Sequence, residues 1–338
     1  MSTRLEIEIA EQGAALRERG PASEAAAGAA AAALTGLDVS HLVVAARGSS
    51  DNAARFGQYL FGDELRIGIG LAAPWLYRDP DRAPRLSGAA VIGISQSGQS
   101  PDVVAVLAAA RQQGRPTVAL TADVDSPLAG AADVVVSLAT GERSVAATKT
   151  YTATLHALVQ IVEAVAPDPE RREWLAKLPA LVDAMATHAL GSREQFDPLL
   201  TVPLITVIGR GLAYSAACET ALKVRELGGV PAEAFSPPDL RHGPIAALDG
   251  RGAIWSVDAG DADLEGLDSR SRVRVQVGPG SSVGDIPTLV VALPAGAPAW
   301  VRSLLAVIPA QAAGLRLAEL REIDVDSPHG LTKVTLTR

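Results

Sequence analysis

Short apolar runs alternate with helical segments along the first half of this 338-residue chain, and this alternation limits its possible folds strongly. Four of the runs are apolar at successive positions, as strands are when both faces of a sheet are covered. They are HLVVAA (41–46), AAVIGIS (89–95), TVALTA (117–122) and DVVVSL (133–138). Because helical segments such as SPDVVAVLAAARQQG separate them, the pattern predicts an α/β fold with a parallel, doubly wound sheet flanked by helices.

The alternation restarts in the second half of the chain. Strands are predicted at LITVIG (204–209), AIWSVD (253–258) and TLVVAL (288–293), with a helix from Leu212 to about Gly228. LVVAARGSSDNAA and ITVIGRGLAYSAA share one pattern of strand, glycine turn and small-residue helix start. We therefore expect two α/β subdomains of one flavodoxin-like or Rossmann-like design. The expected segments are an N-terminal helical segment (1–30), a first subdomain (31–168), a connecting helix (169–195), a second subdomain (196–322) and a C-terminal tail (323–338).

Composition excludes several classes of function. A formal net charge of −8 argues against a nucleic-acid-binding surface. Cys218 is the only cysteine and the five histidines lack metal-ligand spacing, so no metal is expected. The glycine-containing strand ends match neither a Walker loop nor a dinucleotide fingerprint, and no other cofactor is expected. The charged N-terminus does not resemble a signal peptide, and the alanine-rich stretch that follows is too weakly apolar to span a bilayer. We expect a cytoplasmic protein that does not bind membranes.

Two serine clusters follow predicted strands of the first sheet. ARGSSD comes after the first strand and ISQSGQSPD after the second. In an open parallel sheet, ligands bind beyond the carboxyl ends of strands, where helix N-termini favour an anion. Neutral hydroxyls and amides suit a phosphate on a small molecule, although a single serine at such a position more often caps a helix.

Five motifs in order resemble the SIS (sugar isomerase) family. They are ISQSGQSPD, ERSVAATKTYT, GRGLAYSAACETALKVREL, DLRHGP and DVDSPHGLTKVTLTR. The chain is similar to the isomerase half of glutamine–fructose-6-phosphate aminotransferase, and ARGSSDNAA with SQSGQSPD most resembles free-standing type II glucosamine-6-phosphate deaminases. A preceding glutaminase segment is not expected, so glutamine is not expected as the nitrogen donor.

The resemblance assigns a phosphosugar to the serine clusters. It implies that the 6-phosphate is held by Ser50, Ser95, Gln96, Ser97 and Ser100. It further implies that Ser49 and the segment Val145–Ala147, including Val145 and Ala147, line the sugar. Arg47 and Asp239 depart from the family pattern.

The sequence ETALKVRE places Glu219, Lys223 and Glu226 on one helix face, where they form either a solvated ion-pair ladder or a buried site. The resemblance implies that Glu226 moves a proton between C1 and C2 of the sugar, assisted by Glu219 and Lys223. It implies that His242 opens the sugar ring across a homodimer interface with shared active sites. Lys333, in the tail, would assist ring opening or form a Schiff base.

The resulting expectation is an amino-sugar-6-phosphate deaminase and aldose–ketose isomerase that converts glucosamine 6-phosphate to fructose 6-phosphate and ammonia. A fructosamine-6-phosphate deglycase is the enzymatic alternative. A sugar-phosphate sensor without catalysis is the alternative of another class.

Overall fold

A computed structural model describes residues 2–36, 38–278, 287–328, 330 and 332–333, without the side chain of Asp268. Residues 334–338 of the predicted tail lie outside the described residues. The chain forms two compact units. The first comprises Gly13–Arg143, Lys149–Pro179 and Thr332–Arg338, and the second comprises Met1–Gln12, Ser144–Thr148 and Ala180–Leu331. The subdomain boundaries derived from the sequence remain a prediction.

The first unit contains a five-stranded parallel sheet in the order β2-β1-β3-β4-β5. Its strands are β1 (His41–Ala45), β2 (Gly68–Leu71), β3 (Ala89–Ile94), β4 (Thr117–Thr121) and β5 (Val134–Ser137). Helices connect and follow them: α3 (Ser49–Leu65), α4 (Pro101–Gln112), α5 (Pro127–Gly130) and α6 (Lys149–Val165). Two longer helices have residues in both units: α2 (Gln12–Leu34), which is kinked at the non-helical residue Gly20, and α7 (Pro169–Gly191).

Burial explains why these segments are strands. Every residue of β3 and β4 is buried, as expected of central strands with helices on both faces. Val103, Val106 and Leu107 on α4 pack with Val91 of β3 in one apolar cluster. Gly114, at φ 65°, provides the left-handed residue that ends the α4 segment.

The second unit contains a second five-stranded parallel sheet, in the order β10-β9-β8-β6-β7. Its strands are β6 (Ile205–Gly209), β7 (Ala232–Phe235), β8 (Ala253–Val257), β9 (Val273–Val277) and β10 (Thr288–Val291). Its other helices are α1 (Arg4–Ala10), α8 (Leu212–Gly228), α9 (Pro237–Arg241), α10 (Asp261–Leu264), α11 (Ala299–Leu305) and α12 (Ile308–Leu320). When the strands of each sheet are numbered 1 to 5 along the chain, and the second sheet is read from β7 to β10, both sheets have the order 2-1-3-4-5. The predicted α/β fold with two similar sheets is therefore confirmed.

Short 3-10 helices complete the two units, at Pro74–Tyr77, Pro80–Arg82, Arg193–Thr201, Pro244–Ala247 and Asp268–Arg270. The sequence did not predict β2, β7 or β9. Within the described ranges, the stretch Ala299–Leu320 is long and apolar enough to cross a membrane. Of its apolar window, 83% is buried inside the fold, as in the core helix of a folded domain.

Candidate active site

The two serine clusters lie at one edge of the first sheet. β1 and β3 are adjacent and parallel, with Ala45 paired with Gly93, and Ser49 and Ser95 follow their carboxyl ends. The chain leaves β1 toward β2 on one side and β3 toward β4 on the other, so the strand order reverses between them. In doubly wound sheets, ligands bind at such a reversal. The fold thus brings the two clusters to the position where a ligand is expected.

The turn after β3 depends on a glycine. Gly98 has a φ of 62°, and a Cβ atom there would lie 2.0 Å from Oγ of Ser126. Its amide donates to the carbonyl of Ser95, and its carbonyl accepts from the amide of Leu128. Only glycine fits this conformation and this space, so the polar loop is pressed against the segment after β4.

Helix capping does not account for the serine hydroxyls of these clusters. Ser100 occupies the N-cap of α4, but its side chain makes no capping hydrogen bond, whereas Ser126 and Ser236 cap their helices. The Oγ atoms of Ser95 and Ser100 lie 3.3 Å apart, and Ser97 accepts from a backbone amide two residues later. Hydroxyl groups gathered at a strand end are suited to bind an anion.

Three further predicted phosphate and sugar contacts, Ser49, Ser50 and Gln96, lie in the same two clusters. Ser49 and Ser50 are the first two residues of α3, and both are half-buried. Gln96 and Ser97 are half-buried in the β3 loop. Arg47, between the clusters and half-exposed, pairs with Asp102 at 2.7 Å, so its charge is already partly balanced within the protein.

The tail lysine lies near the β3 loop. Nζ of Lys333 is 3.7 Å from Oε2 of Glu142, whose side chain is fully buried. The carbonyl of Glu142 accepts a long hydrogen bond of 3.5 Å from Nε2 of Gln96. The contacts Lys333–Glu142–Gln96 therefore connect the tail with the serine-rich loop within the first unit.

The predicted sugar-lining segment is held by the N-terminal helix. The amide of Ser144 donates to Oε2 of Glu8 at 2.9 Å, and the Glu8 side chain on α1 is buried. Val145 and Ala147, which follow at once, are half-buried. Glu8 thus fixes the start of this segment within the second unit.

A buried charged triad lies on α8, also in the second unit. Nζ of Lys223 is 2.6 Å from Oε2 of Glu226 and 3.4 Å from Oε1 of Glu219. The side chains of Lys223 and Glu219 are fully buried, whereas that of Glu226 is 25% exposed. The triad is therefore not a solvated ion-pair ladder.

Two opposing effects set the protonation of Lys223. Burial lowers the pKa of its ammonium group, but the negative charges and hydrogen bonds of Glu219 and Glu226 outweigh burial and raise the pKa above its ordinary value. Lys223 is therefore a permanent cation at neutral pH and cannot act as a base. Glu226 is the only member of the triad that is exposed, so its carboxylate is the group that a substrate can reach.

His242 lies in a turn-rich loop of the second unit. It follows α9 as the C-cap residue, its amide donates to the carbonyls of Pro238 and Asp239, and its side chain is exposed. Asp239, which departs from the family pattern, accepts a hydrogen bond from the Ser236 hydroxyl at 2.6 Å. Within the described residues, no hydrogen bond or ion pair joins His242 to the triad on α8.

The structure thus places the predicted residues in separate local groups. The first unit contains the serine clusters with Gln96 and Lys333, and the second contains the triad, His242 and the segment with Val145 and Ala147. Glu142 and Glu8 were not predicted as site residues. Glu142 lies inside the motif ERSVAATKTYT, whereas only the fold reveals the contact of Glu8 with residue 144.

Comparisons with known proteins agree with these features. Residues 77–164 match the family model of the SIS domain. Glutamine–fructose-6-phosphate aminotransferase [isomerizing] of Gloeobacter violaceus is 29% identical over 320 residues, which cover 88% of this chain and 52% of that protein. The aminotransferase of Pyrococcus horikoshii is also 29% identical, over 86% of this chain and 51% of its own. The chain spans about half the length of these curated relatives.

Solved structures show the same fold over nearly the whole chain. A protein from Silicibacter pomeroyi, whose suggested role is phosphosugar isomerase, has a TM-score of 0.84 at 27% identity and covers 96% of this chain and 100% of its own. The C-terminal domain of glucosamine–fructose-6-phosphate aminotransferase from Francisella tularensis has a TM-score of 0.84 at 23% identity, covering 97% and 99%. Glucosamine-6-phosphate deaminase from Thermotoga maritima has a TM-score of 0.76 at 19% identity, covering 99% and 100%.

The sequence match, the two sheets of equal strand order and the serine loops at the strand reversal agree with one another. Residues 77–164 thus match the SIS domain, and the chain is similar to glutamine–fructose-6-phosphate aminotransferase over about half of that protein's length.

Proposed function

We propose that this chain is a phosphosugar isomerase, and that its specific reaction converts glucosamine 6-phosphate to fructose 6-phosphate and ammonia. The observation that carries the proposal is the triad on α8, where a partly exposed carboxylate, Glu226, is backed by the fully buried ammonium of Lys223. Such a carboxylate can take a proton from one carbon and return it to the next, which is the step that aldose–ketose isomerisation through an enediol or enolamine requires.

The 6-phosphate is assigned to the two serine loops of the first sheet. Their hydroxyls and amides would replace the water around a phosphate without a fixed positive charge, which suits a substrate that must also leave. Ser49 and the segment of Val145 and Ala147 are assigned to the sugar.

The proton transfer is assigned to Glu226. In the open-chain form of glucosamine 6-phosphate, Glu226 removes the proton from C2, the electrons of that C–H bond form a C1–C2 double bond, and the electrons of the C1 carbonyl move to O1, which takes a proton from solvent. Glu226 then returns its proton to C1 while the nitrogen lone pair forms a C2–N double bond and the nitrogen loses a proton to solvent, which gives the imine of fructose 6-phosphate. Water then adds to the imine carbon, and the C–N bond breaks to release ammonia. No oxidant or external reductant enters these steps.

Lys223 and Glu219 are positioning residues in this proposal. The ammonium of Lys223 holds the carboxylate of Glu226 at 2.6 Å and stabilises its charged form. Glu219, fully buried, helps to balance the charge of Lys223. Ring opening is assigned to His242, supplied from the second subunit of a homodimer, and to Lys333.

Similarity of the motifs ARGSSDNAA and SQSGQSPD to type II glucosamine-6-phosphate deaminases supports deamination over the other reactions of related proteins. The aminotransferase relatives and the Silicibacter pomeroyi protein support phosphosugar isomerisation in general. A fructosamine-6-phosphate deglycase would use the same phosphate site and the same base, so substrate assays must separate the two.

The test measures ammonia and keto-sugar production from purified protein with three substrates: glucosamine 6-phosphate, fructosamine 6-phosphate and glucose 6-phosphate. Ammonia together with fructose 6-phosphate from the first substrate supports the deaminase. Turnover of fructosamine 6-phosphate in preference to it supports the deglycase. Binding of sugar phosphates without turnover of any of the three would overturn the enzymatic proposal in favour of a sensor.

A further inference from the structure

The first unit contains a cavity of about 500 Å³ to which the proposed reaction assigns no role. It lies between α2, α6 and α7, and its volume is in the range that small-molecule sites occupy. Glu24 and Ala176 in its lining are exposed, so it opens to solvent. Most of its wall is apolar, formed by Leu16, Ala164, Pro167, Leu175, Ala176 and Pro179.

A buried cation lies beside this cavity. Leu16 and Gly20, on either side of Arg19 in α2, both line it, and the Arg19 side chain is buried. Nη1 of Arg19 donates to the carbonyl of Ala153 and to Nδ1 of His156, and both acceptors are neutral. Nε and Nη2 have no hydrogen-bond acceptor among the residues that the structure describes.

The charge of Arg19 is therefore not balanced locally. Burial lowers the pKa of Arg19 only to about 10, so the group remains a cation at neutral pH. Buried charges in proteins are normally paired with an opposite charge. An unbalanced cation next to an accessible cavity creates a field that favours an anion there.

His156 joins Arg19 to the cavity, because it is hydrogen-bonded to Arg19 and lines the cavity wall. Burial, together with the charge of Arg19, lowers the pKa of His156 to about 3, so its ring is neutral under all ordinary conditions. Nδ1 must accept the hydrogen bond from Arg19, because a guanidinium group can only donate. The ring proton is consequently on Nε2. The side chain is 7% exposed and lines the cavity, and in the described region Nε2 has no partner.

The carboxylates that line the cavity do not neutralise the charge of Arg19. Glu163 is paired with Arg171 at 3.2 Å and with Arg172 at 2.8 Å. Glu24 is exposed to solvent, where its charge is screened. Of the two glutamates, neither pairs with Arg19.

We propose that this cavity binds a small organic carboxylate with an apolar body, its carboxylate accepting from Nε2–H of His156 and its body lying on the apolar wall. The geometry separates this site from the serine loops, because no residue of those loops belongs to its lining. The site is thus a second ligand site, whose occupation does not depend on the identity of the sugar phosphate.

Binding of three probes with the same naphthalene body and similar size tests the charge preference: 2-naphthoate, 2-naphthamide and 2-naphthylmethylammonium, each titrated into the full chain by calorimetry. We expect 2-naphthoate to bind about tenfold or more tightly than the neutral amide, with the cation weakest, because the field of Arg19 acts on the charge. Equal affinity for all three probes, or no binding of 2-naphthoate, would overturn the proposal.

Variants locate the binding. Arg19→Met removes an unbalanced buried charge and should abolish the preference for naphthoate over naphthamide, while Arg17→Met, an exposed arginine two residues earlier, should keep it. Ala176→Trp fills the cavity without changing its buried polar groups and should block all three probes. Unchanged naphthoate affinity in Ala176→Trp would show that the ligand binds elsewhere, and it would contradict the proposal that this cavity is the binding site.

Discussion

Replacing Lys223 by methionine should destabilise the second unit, because it leaves Glu219 as a fully buried carboxylate without its cation. Methionine preserves the length of the side chain, so the change removes charge with little loss of packing. Removing one partner of a buried ion pair typically costs about 3–5 kcal/mol of unfolding free energy. We expect a loss of this size at pH 7.5.

The assay is urea unfolding followed by tryptophan fluorescence, to which two of the four tryptophans contribute from the buried interior of the same unit, Trp255 on β8 and Trp300 on α11. Glu219→Gln in the Lys223→Met background should recover most of the lost stability, because it removes the uncompensated charge. Lowering the pH to about 5 should also narrow the gap, since a protonated carboxyl group is less costly to bury than a carboxylate.

Lys177→Met is the matched control. Lys177 and Glu173 form a 2.6 Å pair at the same helical spacing as Lys223 and Glu219, but both side chains are more than half exposed. The pair of Lys177 and Glu173 should contribute almost nothing to the unfolding free energy, so Lys177→Met should be nearly as stable as the native protein. If Lys223→Met were as stable as Lys177→Met, the triad would not be an essential buried charge network, and the reasoning would be refuted.

The pH dependence of the native protein follows from the raised pKa of Lys223. A raised lysine pKa contributes stability that is fully present below about pH 10.4 and is lost only as the pH rises through the folded-state value. Titration of Lys223 should therefore leave stability unchanged from neutral pH to about pH 10, which urea unfolding at several pH values measures. A decline in the unfolding free energy of the native protein between pH 7 and 9 that is absent from Lys223→Met would contradict a raised pKa of Lys223.

Three further predictions concern the serine loops and the proposed reaction. Ser97→Ala should raise the KM for the sugar phosphate about tenfold or more in steady-state kinetics, with an unchanged melting temperature; an unchanged KM would return Ser97 to a local structural role. Gly98→Ala should lower the melting temperature, since its Cβ would lie 2.0 Å from Ser126 Oγ at a φ of 62°; an unaltered melting curve would contradict that contact. Mixing Glu226→Gln and His242→Ala subunits should restore part of the activity if sites are shared in a homodimer, and no recovery after confirmed subunit exchange would refute sharing.

Much of the fold was predictable because its central strands are long apolar runs. β3, β4, β6 and β8 are wholly buried, and each corresponds to a predicted strand. β2 and β7 are four-residue edge strands with partly exposed residues, so they lack that signal. β9 has the sequence VRVQV, in which Arg274 and Gln276 are buried. These two polar residues interrupt the apolar run by which a buried strand is recognised in a sequence.

The candidate site was predictable where its residues are close in sequence. The serine clusters and the triad of Glu219, Lys223 and Glu226 each occupy one short stretch. Glu8 and Glu142 were not predictable because their partners lie 136 and 191 positions away in the chain, at Ser144 and Lys333. No local pattern encodes such pairs, and only the folded chain brings them together.

Glu226 is central to the proposed function, and two properties of its carboxylate can be measured together. A proton that rests on this carboxylate between C2 and C1 should exchange in part with solvent. Glu226→Gln preserves shape but cannot accept a proton, and loss of a general base typically lowers the rate by about 10²–10⁴-fold. Glu233→Gln, an exposed glutamate on β7, is the matched control.

The most direct test is conversion of glucosamine 6-phosphate in heavy water, with the product examined by NMR and the rate compared among the native chain, Glu226→Gln and Glu233→Gln. We predict deuterium at C1 of fructose 6-phosphate from the native chain and from Glu233→Gln, and a rate about 10²-fold or more lower for Glu226→Gln at a nearly unchanged KM. Near-native turnover by Glu226→Gln, with the same deuterium content, would show that another group carries the proton and would contradict the proposed mechanism.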